Sequence, residues 1–348
     1  MRKRGSRRVG SPGETTFARR ATMVDVASEA QVSQTSVSLV LNFAEGARLS
    51  PQTRQRVINA ARKLGYQPVR RGKMASGTST IAFFCDEIST DPWAAVALNG
   101  VSEKAWEYGL SVTATVTHGD PEIEAAAFAQ LAARPHAGLI YATINTRLIR
   151  ANPAFFNQPT ILLNCHCAKS LFSSVVPDEA EGGYAATDVL IRAGHKRIGY
   201  IGGEVGMEAS RLRLRGYKRA LAAANLPFDP DLLHHGDWQP PSGYLGARAL
   251  VALPAPPTAI FSANDMMAVG CYDALRELGL RIPQDVAVMG YDDREIAQHM
   301  HPPLSTVVLP HYAMGTTATE LLFELVEHST IRPRHVKVNC PVVSRQSV

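Results

Sequence analysis

Polar side chains suited to holding a hydroxylated ligand come after several short apolar runs of this 348-residue chain. Asn164 follows Ile161-Leu162-Leu163, and Asn264-Asp265 come shortly after Ala259-Ile260-Phe261. Asp292-Asp293 end a run that starts at Val286, Arg213 begins a helical stretch after residues 198–203, and Trp238 sits in Gly236-Asp237-Trp238. A guanidinium, carboxylates and carboxamides supply paired donors and acceptors for vicinal hydroxyls, and an indole supplies a flat apolar face for a ring. Asp86, Asp91 and Trp93, just past the first apolar run of the body, are further candidates for defining which ligand fits. Each has a plainer reading. Asn264 and Asp265 could cap a helix, Asp292 could serve a turn, Trp238 could be core, and Arg211 could take the place of Arg213.

Catalysis is not expected of these residues. The chain holds no G-x-S-x-G, no H-E-x-x-H and no G-x-x-x-x-G-K-[ST]. Asp292 and Asp293 are neighbours in one loop, whereas a glycosidase needs two carboxyls flanking a bond. Residues 199–203, Gly-Tyr-Ile-Gly-Gly, are not a dinucleotide fingerprint. Cys165-His166-Cys167 has no second ligand pair at metal spacing, so neither metal nor cofactor is expected. Five cysteines, an odd number without a framework pattern, suit a reducing compartment.

The elements that must position these residues alternate from Thr80 onward. Strands are expected at 81–85, 111–116, 138–142 and 160–163, with helices at 93–108 and 122–133 between them. A second series comes next: helix 179–193, strand 197–201, helices 211–224 and 242–253, strand 258–261, helix 265–278, strand 286–290. A tail adds strand 305–309, helix 312–327 and an apolar stretch 336–342. Such alternation predicts an α/β fold of two doubly wound parallel-sheet subdomains. Ligands of such sheets sit at the carboxyl ends of the strands, in the cleft between the halves.

Residues 22–42 have another pattern. Thr22 with Asp25 forms a capping box, followed by an apolar face of Val26, Ala27 and Ala30. Gln31-Val32-Ser33 breaks that helix, and Ser33 can cap a second one carrying Val37, Val40 and Leu41. Helices this short need a third, which Ser50-Pro51 starts, Val57, Ala61 and Leu64 continue, and Gly65 ends. This is a three-helix helix-turn-helix module. Residues 1–79 carry 15 Lys and Arg against four Asp and Glu, while the rest carries 21 against 27. The basic excess thus lies on the segment that would face phosphates. No apolar segment follows the basic start and no run of about 18 apolar residues exists, so a cytoplasmic location with no membrane contact is expected.

The run Asp25-Val26-Ala27, Ala30, Val32-Ser33, Val37-Ser38, Val40-Leu41-Asn42, Ser50, Thr53-Arg54, Val57 and Leu64-Gly65-Tyr66 resembles the DNA-binding domain of the lac-repressor/galactose-repressor family. Phrases in the body, among them residues 175–203, 256–275 and 282–307, resemble the same family and its periplasmic-binding-protein-like fold. By that resemblance Gln34, Thr35 and Leu39 read base edges, Leu39 through an apolar contact. Ser33, Ser36, Ser38 and Asn42 hold phosphates or caps. In the linker, Arg70, Arg71 and Lys73 are DNA-seeking, but Ala75 stands where the family places a wedging leucine, and alanine is too small to wedge. The resemblance also implies that Arg213, Asn264 and Asp292 bind effector hydroxyls and that Trp238 stacks on a sugar ring; Asn164, Asp91 and Trp93, by their place at strand ends, are expected to line the same cleft.

The expected organisation is a disordered basic tail (1–21), a DNA-binding domain (22–66), a linker (67–79) and an effector-binding body (80–348). The body would cross between subdomains near Asp178, Pro303 and Arg332, giving one half of about 80–178 with 304–331 and another of about 179–303 with 332–348. The expected function is a transcriptional regulator of carbohydrate genes, a homodimer on a pseudo-palindromic operator, controlled by a sugar. A solute-binding protein without catalytic activity is the alternative. The missing signal peptide and basic head argue against it.

Overall fold

A computed structural model describes residues 23–41, 50–64, 80–89, 92–328 and 331–348. Thr22, Asn42, Gly65, Arg70, Arg71, Ala75 and Asp91 lie outside the described residues, as do the side chains of Thr35, Ser38 and Leu39. The chain forms two compact units, residues 1–72 and 73–348.

The first unit contains α1 (Met23–Ala30), α2 (Gln34–Leu41) and α3 (Pro51–Lys63). Val26, Ala27 and Ala30 of α1 meet Val37 and Val40 of α2 and Val57, Ala60 and Ala61 of α3 in one small core. The turn between α1 and α2 passes through Gln31 at φ 52°. The Ser33 hydroxyl accepts from the Ser36 N–H at 3.2 Å, and the Ser50 hydroxyl accepts from the Thr53 N–H at 3.1 Å. Both serines therefore cap, as their positions in the sequence suggest.

The second unit begins with β1 (Thr80–Cys85), α4 (Trp93–Glu107), β2 (Ser111–Val116), α5 (Pro121–Ala132), β3 (Gly138–Ile149), β4 (Thr160–Cys167) and β5 (Ser173–Pro177). It continues through α6 (Glu179–Arg192), β6 (Ile198–Gly202), α7 (Glu208–Ala223), β7 (Leu233–His235), α8 (Pro240–Val251), β8 (Ala259–Ser262), α9 (Asp265–Glu277), β9 (Ala287–Met289) and α10 (Glu295–His299). It ends with β10 (Thr306–Val307), α11 (His311–Glu327), β11 (His335–Val338) and β12 (Val342–Val343).

Two parallel sheets result, in the orders β11-β5-β4-β3-β1-β2 and β7-β6-β8-β9. Helices α4 and α11 cover one face of the first sheet and α5 the other, so Ile81–Cys85 of β1 and Ile161–Leu163 of β4 are apolar on both faces. The second sheet shares its core with α6 to α9. Helices α6 and α7 approach closely at glycines. A Cβ on Gly216 would sit 2.3 Å from the Ala180 carbonyl oxygen, and one on Gly183 would sit 2.4 Å from that of Arg213.

Two of the expected crossings move. Residues Ser305 and Val308 still bridge in parallel to the second sheet's edge at Met289 and Asp292, so the chain leaves that half at 309–310 and not near Pro303. Strand β11 pairs with β5 in the first sheet, with Val336 opposite Val175, so the return comes at 339–341 and not near Arg332. The cause is β5, a strand absent from the expected series. Its Ser-Ser-Val-Val leaves an open edge that β11 fills. The first crossing, at Asp178, lies directly between β5 and α6.

Gly216→Ala should lower the unfolding free energy of the body by about 1–3 kcal/mol, because the added carbon meets backbone that cannot rotate away. Urea melts of the two proteins measure this. A neutral or stabilising outcome, as helix propensity alone would give, contradicts the close α6–α7 contact.

Candidate functional site

The carboxyl ends of the strands in both halves open onto a cleft of about 550 Å³. From the first half come Trp93, Asn145, Thr146, Asn164 and His311, and from the second Glu179, Met207, Arg213, Trp238, Asn264, Asp292 and Arg294. Six of the seven residues expected to bind the effector thus lie together, and the seventh, Asp91, is outside the described residues.

Arg213 lies at the floor, 3 % exposed. Its Nε donates to Glu179 Oε2 at 2.7 Å and its Nη2 to Glu179 Oε1 at 3.0 Å, a bidentate pair. Its Nη1 donates to the Ala263 carbonyl and to Asp292 Oδ1 at 3.2 Å. The guanidinium stacks 3.7 Å from the Tyr291 ring centroid and lies 5.4 Å from that of Trp238. Burial opposes the charge, but Glu179 and Asp292 outweigh it and keep Arg213 protonated. Arg211 is exposed and does not replace it. Glu179 is the partner that the sequence did not reveal. A glutamate in a first helical turn is ordinarily explained by the helix dipole.

Asn264 does act as the N-cap of α9. Its Oδ1 accepts from the Met267 N–H at 2.8 Å while its Nδ2 donates to the Trp238 carbonyl at 3.0 Å. It therefore fixes the cleft wall as well as lining it. Trp238 rests on Gly203 and donates its indole N–H to Met207 Sδ at 2.8 Å. Asn164 is bound to its own sheet, donating to the Thr143 and Ile144 carbonyls and accepting from Thr146. Asn164, Trp238 and Asp292 have φ values of 57°, 70° and 112°, a region that costs about 1–3 kcal/mol for such residues.

Two further titratable groups shape the cleft. Asp265 is fully buried and accepts from the Thr306 hydroxyl at 2.6 Å and the Arg294 N–H at 2.7 Å. Burial, then the Asp292 charge, raises its pKa to about 8. His311 is held neutral, its pKa pushed down to about 3 by burial and then by Arg213. Cys165-His166-Cys167 ends β4. Both sulfurs are buried and His166 Nε2 meets Glu208 at 3.0 Å. Among the described residues no group of His, Cys, Asp and Glu has metal-holding geometry. No described helix is long and apolar enough to cross a membrane.

In the first unit, the Ser33 hydroxyl, which caps α2 by accepting from the Ser36 N–H, also meets the Ser36 hydroxyl at 2.9 Å. Gln34 opens α2 half-buried, at the end that a recognition helix presents to bases.

Residues 22–69 match the bacterial regulatory proteins of the lacI family, and residues 187–348 match a periplasmic binding protein-like domain. The ribose operon repressor of Haemophilus influenzae is 31% identical over 94% of this chain and 98% of its own. The chain belongs to the lacI family. The repressor PurR of Aliivibrio salmonicida is 30% identical over 94% of this chain and 99% of its own. A solved complex of the transcriptional regulator CelR with cellobiose is 30% identical, with TM-score 0.65, covering 94% of this chain and all of that one. This lacI-family member is thus a DNA-binding transcriptional repressor and not an enzyme, with an effector-binding body of periplasmic-binding-protein type.

The Asp265 carboxyl supplies a test of the cleft floor. Its folded-state pKa lies above its unfolded one, so the folded state holds the proton more tightly. Its contribution to stability is therefore greatest at or below the unfolded pKa and declines as pH rises towards about 8. Asp265→Asn should remove that decline between about pH 4 and 8, measured by urea melts across pH. An unchanged slope means that the carboxyl is not buried as described.

Proposed function

We propose that this repressor acts as a homodimer on a pseudo-palindromic operator and is controlled by a neutral saccharide bound in the cleft. The observation that carries this reading is the charge state of the floor. Arg213 is already met by two carboxylates, so it attracts no anion. Four carboxylates, Glu179, Glu204, Asp237 and Asp292, line the cleft against two guanidiniums, Arg213 and Arg294. This balance disfavours phosphorylated ligands and suits hydroxyls, which carboxylates accept from. The indoles of Trp93 and Trp238 offer apolar faces for a sugar ring. The ribose and cellobiose named in two of the relatives' descriptions support the class. A bound saccharide, contacting both halves, would bias their closure by its differential affinity for the two arrangements. A twofold dimer presents two recognition helices to two half-sites.

Calorimetric titration with neutral mono- and disaccharides, sugar phosphates and purine bases tests the class. Tightest binding by a sugar phosphate or a base refutes it. With the sugar that binds, Trp238→Ala should weaken affinity about tenfold through lost stacking, leaving apo operator affinity within about twofold. An equal loss of apo affinity would mean that Trp238 holds the fold rather than the ligand. On the DNA side, Gln34→Ala and Thr35→Ala should each cost about 1–3 kcal/mol on the operator and little on random sequence, by fluorescence anisotropy at fixed salt. Equal losses on both DNAs would remove these residues from base reading.

A further inference from the structure

His311 begins α11, directly after the chain passes from the second half to the first. It is 4 % exposed and lines the cleft, with its ring 5.1 Å from that of Trp93. Its Nε2 is buried and meets no hydrogen-bond partner among the described residues. The neighbouring carboxamides differ. Asn164 and Asn264 each use both polar atoms of the side chain on protein partners. A buried polar atom without a partner destabilises the fold and calls for an explanation.

A trapped water is a poor explanation. The void beside His311 measures about 10 Å³, barely one water, and is walled mainly by Cys85, Ala94, Ala97, Ala142 and Leu163. The Thr143 hydroxyl there already donates within the sheet. A water would lack the two to four polar contacts that hold one in place. Ion pairing is no better, since Arg213 is the charge nearest in effect and disfavours a second cation. A neutral imidazole, by contrast, suits a hydroxyl, because each ring nitrogen can donate or accept according to tautomer.

We infer that His311 is a specificity-determining residue of the cleft, its Nε2 bonding one hydroxyl of the bound saccharide. This rests on the saccharide reading above. The orphaned nitrogen then makes the site selective. A ligand with a hydroxyl at that position satisfies a group that is otherwise unpaired, and an analogue without it leaves the group buried and bare. Sites of this kind reject the deficient analogue far more strongly than apolar pockets reject an extra group.

The test uses the full-length protein and calorimetric titration with ribose, glucose, galactose, cellobiose and maltose, then the monodeoxy analogues of the tightest binder. Wild type should reject one monodeoxy analogue by about tenfold or more. His311→Phe, which keeps the ring and removes the nitrogens, should bind parent and that analogue within about twofold of each other, and the parent about tenfold more weakly than wild type. His311→Gln, which restores a polar atom near the Nε2 position, should recover the discrimination. Thermal unfolding of the apo His311→Phe protein should show an unchanged or raised midpoint, since an unpaired polar group has gone. Wild-type affinity in His311→Phe, or wild-type rejection of every deoxy analogue by it, would overturn the inference while leaving the saccharide reading intact. Failure of all five sugars on wild type would remove both.

Discussion

One guanidinium organises the effector half of this repressor. Arg213 on α7 reaches the start of α6 through Glu179, the end of β8 through the Ala263 carbonyl, and the loop after β9 through Asp292. Four separate segments thus meet at one charge. A buried ion pair adds little net stability over a well-packed apolar cluster, but removing one member costs about 3–5 kcal/mol. Its contribution is therefore to arrangement. Glu179 follows the first crossing by one residue, so the position of that crossing and the floor of the cleft are set by the same bond. A ligand that perturbs Asp292 or Trp238 acts on a group already tied to the passage between the halves.

The residues around that bond are held in place before any ligand arrives. Positive φ at Asn164, Trp238 and Asp292 is a local cost, and each is offset by fixed partners. The Asn264 carboxamide spans the Trp238 carbonyl and the α9 amide end, and Met207 meets the indole N–H. Rigid walls of this kind lower the ordering cost of binding and sharpen selection by shape.

Local features of the chain were legible in its sequence. The core of the DNA-binding unit is set by Val26, Val37, Val40 and Val57, whose spacing needs only helical geometry. The cleft residues were legible because parallel strands bring their carboxyl-end loops to one edge of the sheet. The features that escaped depend on contacts between distant segments. Nothing near Glu179 announces Arg213, and nothing near His311 announces that its nitrogen lacks a partner among the described residues. The crossings at 309–310 and 339–341 were misplaced because β10 and β12 are two residues each and β11 alternates like any edge strand. Only its pairing with β5 shows which sheet owns it.

The three crossings carry a consequence for the order in which the body is completed. The first sheet lacks its final strand until residue 338 has been made, and α11, which covers one of its faces, spans residues 311–327. The second half is closed later still. The Ser347 hydroxyl donates to the Val288 carbonyl and accepts from the Ser305 N–H, beside the edge that holds Asp292. Neither half is a contiguous module that could finish early on the ribosome or be exchanged as one cassette. The helices of the DNA-binding unit have their own core within residues 23–64 and need no later part of the chain to form it. During synthesis a chain can therefore own its recognition helix well before it owns a site at which to be regulated.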